Sequence, residues 1–297
     1  MRSKILGTGL TGLVGTRIIE LLQKYFDFED LPVEKGFNIV RSETIEKEVA
    51  DSEAKVLIHL AAFTDVNAAW KERGNKEGLC YQVNVIGTRN IAKLCAKYKK
   101  FLIHFSTDFV FNGEKKEPYT EEDKPNPLEW YGQTKYWAEE EVKNSGCKFC
   151  ILRIAFPFRA KFDFKSDLVR KIIIGFKSKT LTPMFFDQII TPTFIDDIAF
   201  GVKMVFQRKP QGTFHFVGSS FVSPYDLALK IAKILGFDTI LLKKSSLLDY
   251  LQNNPGDRPY SKNLALSNLK AEKELGLKMK AIDEALLVLK RQIQFSS

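Results

Sequence analysis

The chain has 297 residues, of which 44% are hydrophobic and 27% are charged, and its formal net charge at pH 7 is +9. This length and balance are typical of a globular protein that buries a full core and exceeds one small domain. The basic residues are scattered, with no stripe of alternating basic and aromatic residues to indicate specific nucleic-acid binding, and no run of about 18 apolar residues indicates a membrane span.

The first predicted unit is a strand, a glycine-rich turn and a helix. Residues 4–6 can form a short strand, residues 8–15 contain three glycines, and residues 16–24 have helical apolar spacing. Glycine permits a tight turn and lets the backbone approach a pyrophosphate, which the helix N-terminus then faces. Taken alone the motif is weak, because ordinary βα turns are also glycine-rich. Gly7 stands where a larger apolar residue is common, so we expect the first strand to be short or irregular.

The second strand should end in a residue that reads the adenosine ribose of a dinucleotide. An acidic side chain there binds a free 2′-hydroxyl and suits NAD, whereas arginine suits the 2′-phosphate of NADP. Glu29 and Asp30 favour NAD, and Arg17, Lys35 and Arg41 are candidates for the phosphate. The choice between NADH and NADPH therefore stays open.

Two apolar runs predict buried parallel strands that end in candidate site residues. Residues 56–62 end in two alanines, which leave room for a flat ligand, and residues 101–105 deliver Ser106, Thr107 and Asp108. Ligands bind outside the carboxyl ends of the strands in open α/β sheets. We therefore expect these segments and the glycine turn to converge on one edge.

Tyr131 and Lys135 have the spacing of a proton-transfer pair. Residues four apart on a helix project from the same face, and a nearby ammonium favours the phenolate, which lowers the tyrosine pKa from about 10. The phenol would then act as an acid toward a carbonyl oxygen, which Thr107 could also hold. A lone Tyr-x-x-x-Lys is common by chance, but the three converging segments favour the functional reading.

The cysteines and the C-terminal third carry less information about chemistry. Cys147 and Cys150 have the C-x-x-C spacing of a redox pair or half of a zinc site, but no second ligand pair follows, and we expect buried or edge thiols and no metal. Residues 224–235 and 281–294 have the apolar spacing of helices, and the helix after Tyr131 is predicted to end near residues 144–146.

Taken together, these segments resemble the extended short-chain dehydrogenase/reductases, and within them the dTDP-4-dehydrorhamnose reductase (RmlD-like) branch. The resemblance covers nearly the whole chain. The matching segments are residues 8–15, 61–66, 83–88, 106–113, 131–135, 187–193, 258–259 and 266–268.

The resemblance implies a Rossmann-type doubly wound parallel sheet with a smaller C-terminal α/β lobe that binds substrate. Residues 1–155 would form the dinucleotide-binding domain, with residues 187–222 returning to it. Residues 156–186 and 223–297 would form the substrate-binding lobe. Alternating strands and helices through residue 155 agree with such a sheet.

The resemblance also implies an NAD(P)H-dependent reductase of a nucleotide-activated 4-keto-6-deoxy sugar. Tyr131 would be the acid, Lys135 would lower its pKa and touch the nicotinamide ribose, and Thr107 would bind the sugar C4 oxygen. Asp108 and Phe156 would contact the substrate, although Phe156 replaces the usual tryptophan and leaves the exact sugar open. Besides Tyr131 and Lys135, the cofactor-binding residues would be Gly9, Thr11, Gly12, Leu13, Val14, Gly15, Asn38, Ile39, Ala61, Ala62, Phe63 and Thr64.

Other activities of the family fit the residues less well. Sugar-nucleotide dehydratases carry a glutamate where this chain has Phe109, and epimerases carry a serine-rich segment near Thr107. A non-catalytic, cofactor-binding subunit resembling the β subunit of methionine adenosyltransferase is the alternative from another class. Residues 1–4 lead directly into a strand, so we expect no secretory signal and a cytoplasmic protein. A homodimer is compatible with the sequence.

Overall fold

Ten β-strands and twelve α-helices occur in residues 2–294, the part of the chain that this computed structural model describes. The strands are β1 (Ser3–Thr8), β2 (Phe26–Asp30), β3 (Val56–His59), β4 (Phe101–Thr107), β5 (Phe149–Ile154), β6 (Pro157–Phe158), β7 (Met184–Phe185), β8 (Thr193–Phe194), β9 (Gly212–His215) and β10 (Lys244–Ser245). The helices are α1 (Leu13–Leu22), α2 (Glu46–Asp51), α3 (Val66–Lys71), α4 (Leu79–Tyr81), α5 (Thr88–Lys97), α6 (Trp130–Lys143), α7 (Leu168–Ser178), α8 (Ile195–Arg208), α9 (Pro224–Leu235), α10 (Leu247–Asn253), α11 (Leu269–Leu275) and α12 (Ile282–Gln294).

The main sheet of the described chain has six parallel strands in the order β2-β1-β3-β4-β5-β9. Every residue of β3 and β4 is buried, as expected for strands that helices cover on both faces. Apolar residues of α1 and α8 pack on one face, and those of α2, α5 and α6 pack on the other. The predicted Rossmann-type, doubly wound parallel sheet is confirmed.

Strand β1 is more regular than the sequence indicated. It runs through Gly7, which pairs with Asp30 on one side and Ile58 on the other. The side chain of Leu10 occupies the space beside Gly7, because a Cβ built there would lie 2.5 Å from Leu10 Cδ1. The expectation of a short or irregular strand was therefore wrong, and the glycine makes room for Leu10.

The other predicted elements differ from the structure mainly at their ends. The strand predicted over residues 56–62 ends at His59, so both alanines lie beyond it, while β4 continues to Thr107. Helix α6 ends at Lys143, next to the predicted stop, and α9 has the predicted bounds with Ser223 capping it. No helix in residues 2–294 is both long and apolar enough to cross a membrane.

A second core lies beside the main sheet. Helices α7, α9 and α12 contribute most of its buried residues, together with Phe158 and Phe194 from β6 and β8. Two small parallel pairs, β6 with β8 and β7 with β10, accompany these helices. Ala271 and Leu275 of α11 pack instead in the core of the main sheet. The division into two domains stays a prediction, and Met1 and residues 295–297 of its ranges lie outside the described residues.

Candidate active site

A cavity of about 600 Å³ opens at the carboxyl edge of the main sheet. It lies where the chain order reverses between β1 and β3, the place where open α/β sheets bind ligands. The predicted residues that line it are Gly9, Thr11, Gly12, Leu13, Val14, Gly15, Ala61, Ala62, Thr64, Thr107, Asp108, Tyr131, Lys135 and Phe156. Three predicted residues lie outside this lining, namely Asn38, Ile39 and Phe63. The structure thus brings the three converging segments together.

The glycine turn is shaped by close backbone approaches. Gly9 has a φ of +69°, and a Cβ there would lie 2.4 Å from Ala61 N. A Cβ at Gly15 would lie 2.6 Å from Leu10 Cα. Gly12 is the N-cap of α1 and has no side chain to cap the helix, so the first amides of α1 stay available to a phosphate. The turn therefore fits the pyrophosphate of a dinucleotide.

The structure narrows the set of residues that could read the adenosine ribose. Glu29 accepts a hydrogen bond from Ser52 at 2.5 Å and pairs with Lys4, and Arg17 pairs with Asp196 at 2.6 Å. Asp30 follows Glu29 at the end of β2, so its side chain points to the opposite face of the sheet. Burial raises the pKa of its carboxyl, while the nearby Leu10 and Leu31 amides act in the opposite direction.

One oxygen of Asp30, Oδ1, is buried without a hydrogen-bond partner in the described chain. A buried acceptor of this kind suits a ligand hydroxyl. Of the two acidic candidates, Asp30 is thus the one beside the glycine turn.

The three residues outside the cavity lining have structural partners. Asn38 Oδ1 accepts from the Val40 amide at 3.0 Å, and Ile39 packs against Gly87. The Phe63 amide donates to Asn84 Oδ1 at 2.8 Å. Their predicted role in cofactor binding stays a prediction.

The first turn of α6 is packed tightly against the end of β4. Glu129 caps the helix by accepting from the Tyr131 and Gly132 amides at 2.8 and 2.6 Å. A Cβ at Gly132 would lie 2.1 Å from Phe109 O. Glycine is therefore needed at this position, and the close approach brings the Tyr131 side chain beside Thr107. The neighbouring Thr107 side chain acts to lower the tyrosine pKa.

Lys135 follows Tyr131 by one helical turn and is buried in the same cavity. Its Nζ donates to Phe105 O at 2.6 Å, which ties the ammonium to the backbone of β4. Burial lowers the pKa of Lys135 to about 8, while Glu139 acts in the opposite direction. Loss of solvent disfavours the charged form of an amine.

The pKa of Tyr131 lies above its ordinary value. Burial is the main cause, and the charges of Glu129 and Asp108 raise it further. In this structure the pKa of Tyr131 is therefore raised rather than lowered toward working pH, and the expectation that Lys135 lowers it stays a prediction. A neutral phenol is still the form that donates a proton.

Asp108 is the other strongly perturbed group in the cavity. Its side chain is 1% exposed, and burial raises its pKa to about 7. Oδ1 accepts from Thr107 Oγ1 at 2.9 Å, and Oδ2 is buried without a partner among residues 2–294. An unpartnered buried acceptor beside a cavity suits a substrate hydroxyl.

Aromatic side chains form another part of the cavity lining, the aromatic wall. The Phe109 ring lies 5.7 Å from the Tyr131 ring and 6.4 Å from the Phe156 ring. Phe156 has a φ of +41°, a region that bulky residues rarely adopt and that is often retained at functional sites. The predicted substrate residue is therefore in the cavity and held in a strained conformation.

The sequence assigned residues 156–186 to the substrate-binding lobe but did not single out the residues that complete the cavity lining. Residues 159–168 connect β6 to α7 and form the 159–168 segment. Phe162 and residues 164–168 of this segment line the cavity. Lys165 Nζ reaches Thr64 Oγ1 at 3.1 Å on the opposite side. Phe164 is 90% exposed. The sequence signal available for this part of the lining was two phenylalanines beside lysines in a loop.

Cys147 and Cys150 are the pair whose spacing suggested a redox pair or half of a zinc site. Cys147 is half-buried, Cys150 is buried, and both are free thiols. In the described part of the chain, no group of three or more His, Cys, Asp or Glu residues could hold a metal ion.

Comparison with known proteins places these features in context. The family model described as RmlD substrate binding domain matches residues 3–293. The probable low-salt glycan biosynthesis reductase Agl14 of Haloferax volcanii is 29% identical over 296 residues, covering 95% of each chain. Methionine adenosyltransferase 2 subunit beta of Rattus norvegicus is 28% identical over 243 residues, 77% of this chain and 71% of that protein. The structure of dTDP-4-dehydrorhamnose reductase from Bacillus anthracis in complex with NADP has a TM-score of 0.88 and 25% identity, covering 100% of both chains.

Proposed function

The chain belongs to the RmlD substrate binding domain family, and on that premise we propose that it is an NAD(P)H-dependent reductase of a nucleotide-activated 4-keto-6-deoxy sugar, similar to dTDP-4-dehydrorhamnose. The observation that carries this proposal is the convergence of Thr107, Tyr131 and Lys135 in one cavity with the glycine turn. Binding alone does not require an acid and a second donor beside the same oxygen.

When bound, the nicotinamide supplies the hydride that forms the new C–H bond at the ketone carbon. Tyr131 then gives its phenolic proton to the ketone oxygen, so the C=O π bond becomes an O–H bond. Thr107 would hold the same oxygen, since charge that develops there is best stabilised by preorganised donors. The Lys135 ammonium, anchored on Phe105 O, places a positive charge near the phenolate that remains.

The nucleotide-sugar would lie between the carboxyl edge of the sheet and the aromatic wall. Phe109 and Phe156 offer apolar surface to the 6-methyl group of the sugar, and Asp108 Oδ2 accepts from one of its hydroxyls. The turn around Gly9 to Gly15 binds the pyrophosphate of NADH or NADPH.

The regulatory-subunit alternative is less well supported. A relative of that class matches 77% of this chain, but Tyr131 and Lys135 are both retained and both buried at the cavity. Dehydration is also disfavoured, because Phe109 carries no group that could remove a proton.

The experiment is oxidation of NADH and NADPH with a panel of nucleotide-linked 4-keto sugars, comparing the native chain with Tyr131→Phe. We expect turnover by the native chain and a loss of at least about 10²-fold in kcat for the variant, the scale of a general-acid contribution. Cofactor binding should be kept. Tyr98→Phe is the matched control, since its hydroxyl donates to Glu46 outside the cavity. Tight cofactor binding without turnover on any keto sugar would favour the regulatory alternative.

A further inference from the structure

The Thr107 hydroxyl has no hydrogen left for its proposed role, which is to donate to the substrate ketone oxygen. A hydroxyl has one hydrogen to donate and two lone pairs with which to accept. Thr107 Oγ1 donates to Asp108 Oδ1 at 2.9 Å and accepts from the Phe109 amide at 3.3 Å. Because the single hydrogen is directed at Asp108, Thr107 in this arrangement cannot also donate to a substrate oxygen.

The Asp108 carboxyl lies in surroundings that disfavour its charge. The side chain is 1% exposed, and Oδ2 has no hydrogen-bond partner in the described chain. A buried carboxylate with an unpartnered oxygen is costly, and such a group takes up a proton instead. A protonated carboxyl would carry an O–H group that can donate to Thr107 Oγ1.

The charged groups packed around Asp108 come from several elements. Glu129, at the cap of α6, raises the pKa of Asp108, and Tyr131 faces it from the first turn of that helix. Lys135 lines the same cavity but is anchored on the backbone of β4. Arg258 lies 5.8 Å from the centre of the Phe109 ring and acts electrostatically on Glu129.

We propose that Asp108 is a positioning residue that sets the direction of the Thr107 hydroxyl, an inference that rests on the proposed reductase function. With Asp108 protonated, its O–H donates to Thr107 Oγ1, and Thr107 donates to the sugar ketone oxygen. With Asp108 ionised, Thr107 donates to the carboxylate and is lost as a donor to substrate. The Phe109 amide is bonded to Oγ1 in both states, so only the hydroxyl hydrogen changes direction.

The proposal fixes the sign of a pH dependence. Burial, the largest influence, raises the pKa of Asp108 to about 7, while the hydrogen bond from Thr107 and two backbone amides act in the opposite direction. The donor is therefore present below about pH 7 and lost above it. The protonated fraction of such a group falls about tenfold between about pH 6 and about pH 8, and kcat of the native chain should fall by about the same factor.

Two substitutions separate this effect from the titration of Lys135, whose pKa of about 8 lies in the same range. Asp108→Asn places a permanent N–H donor beside Thr107, so its kcat should lose the part of the fall between pH 6 and 8 that Asp108 causes and keep only the part that Lys135 causes. Thr107→Val removes the hydroxyl. Its kcat should be low at every pH, by about 10²-fold at pH 6, the scale of one lost oxyanion donor.

Infrared spectroscopy of the chain without substrate tests the same point independently of turnover. We expect a carbonyl band of a protonated carboxyl that disappears as pH rises through about 7 and that is missing in Asp108→Asn. Glu121→Gln is the matched control, because burial also raises the pKa of Glu121, which accepts from the His215 amide away from the cavity. The band assigned to Asp108 should remain in that control.

The outcomes distinguish this inference from the proposed function. An Asp108→Asn chain that keeps the native fall in kcat would overturn the inference and leave the reductase function intact. A native chain that turns over no keto sugar would overturn the proposed function, and the infrared titration would still decide the protonation of Asp108. A carboxylate that is ionised throughout the range would contradict the inference.

Discussion

The two walls of the cavity are held in place by different kinds of contact. The sheet wall, formed by the glycine turn, the end of β4 and the start of α6, depends on backbone atoms that approach each other closely. Gly9 lies against the backbone of Ala61, and Gly132 lies against Phe109 O. Only glycine fits such approaches, so the sequence displays the positions at which they occur.

The facing 159–168 segment depends instead on long side chains. Arg170 donates to Phe162 O and Lys165 O and pairs with Asp167 at 2.7 Å. Arg159 pairs at 2.7 Å with Glu20 of α1, which is 139 residues away in the chain. Ion pairs at such a separation have no local signature. One half of this site can therefore be predicted from residue spacing, while the other half requires the three-dimensional structure.

We expect substitutions in the sheet wall to have the largest effects. In Gly9→Ala, the new Cβ meets the Ala61 backbone, and φ stays at +69° where alanine is strained. We expect a loss of at least about 10²-fold in NADH and NADPH affinity, the scale on which a misplaced binding element acts, measured by fluorescence titration.

Gly146→Ala is the matched control for that substitution. Gly146 also has a positive φ, of +79°, but a Cβ there meets no atom within 4 Å. It should lower stability by about 1 kcal/mol and leave cofactor affinity unchanged. Equal cofactor affinities for the two variants would mean that the glycine turn does not bind the cofactor.

Substitutions that loosen the 159–168 segment should weaken substrate binding more than they slow the chemical step. Arg170→Met removes the side chain that holds two carbonyl groups of the segment and leaves Asp167 unpaired. We expect the free energy of unfolding to fall by about 3 kcal/mol and KM for the nucleotide-sugar to rise about tenfold, with kcat less affected. Lys171→Ala, at the exposed next position of α7, is the control. Steady-state kinetics and urea unfolding measure both effects, and an unchanged KM in Arg170→Met would argue against a role of this segment in binding.

The smallest expected effect concerns the choice of cofactor. If Asp30 accepts from the 2′-hydroxyl of the adenosine ribose, its carboxylate repels a 2′-phosphate. Asp30→Ser should then shift the ratio of kcat/KM values for NADPH and NADH about threefold to tenfold toward NADPH. Glu29→Ser is the control, because the Glu29 carboxylate accepts a hydrogen bond from Ser52 on the other side of β2. A ratio that moves equally in both variants would exclude Asp30 as the selecting residue.

The sequence was sufficient for the parallel sheet, the glycine turn and the face shared by Tyr131 and Lys135, because each follows from local spacing. It was not sufficient for electrostatics. The pKa of Tyr131 depends on its burial and on Glu129 and Asp108, and these meet only when α6 packs on β4. The space that Gly7 leaves for Leu10 was also invisible, since it depends on a side-chain contact within the turn.

Transfer of a hydride to a sugar ketone in this cavity can be followed directly with an isotope label. Reduced cofactor that carries deuterium at the nicotinamide C4 position is incubated with the native chain and a nucleotide-linked 4-keto sugar, and the product is read by NMR. We expect deuterium at C4 of the sugar, with formation of labelled product at least about 10²-fold slower in Tyr131→Phe. Labelled product formed equally fast by that variant, or a reduced sugar without deuterium at C4, would contradict this expectation.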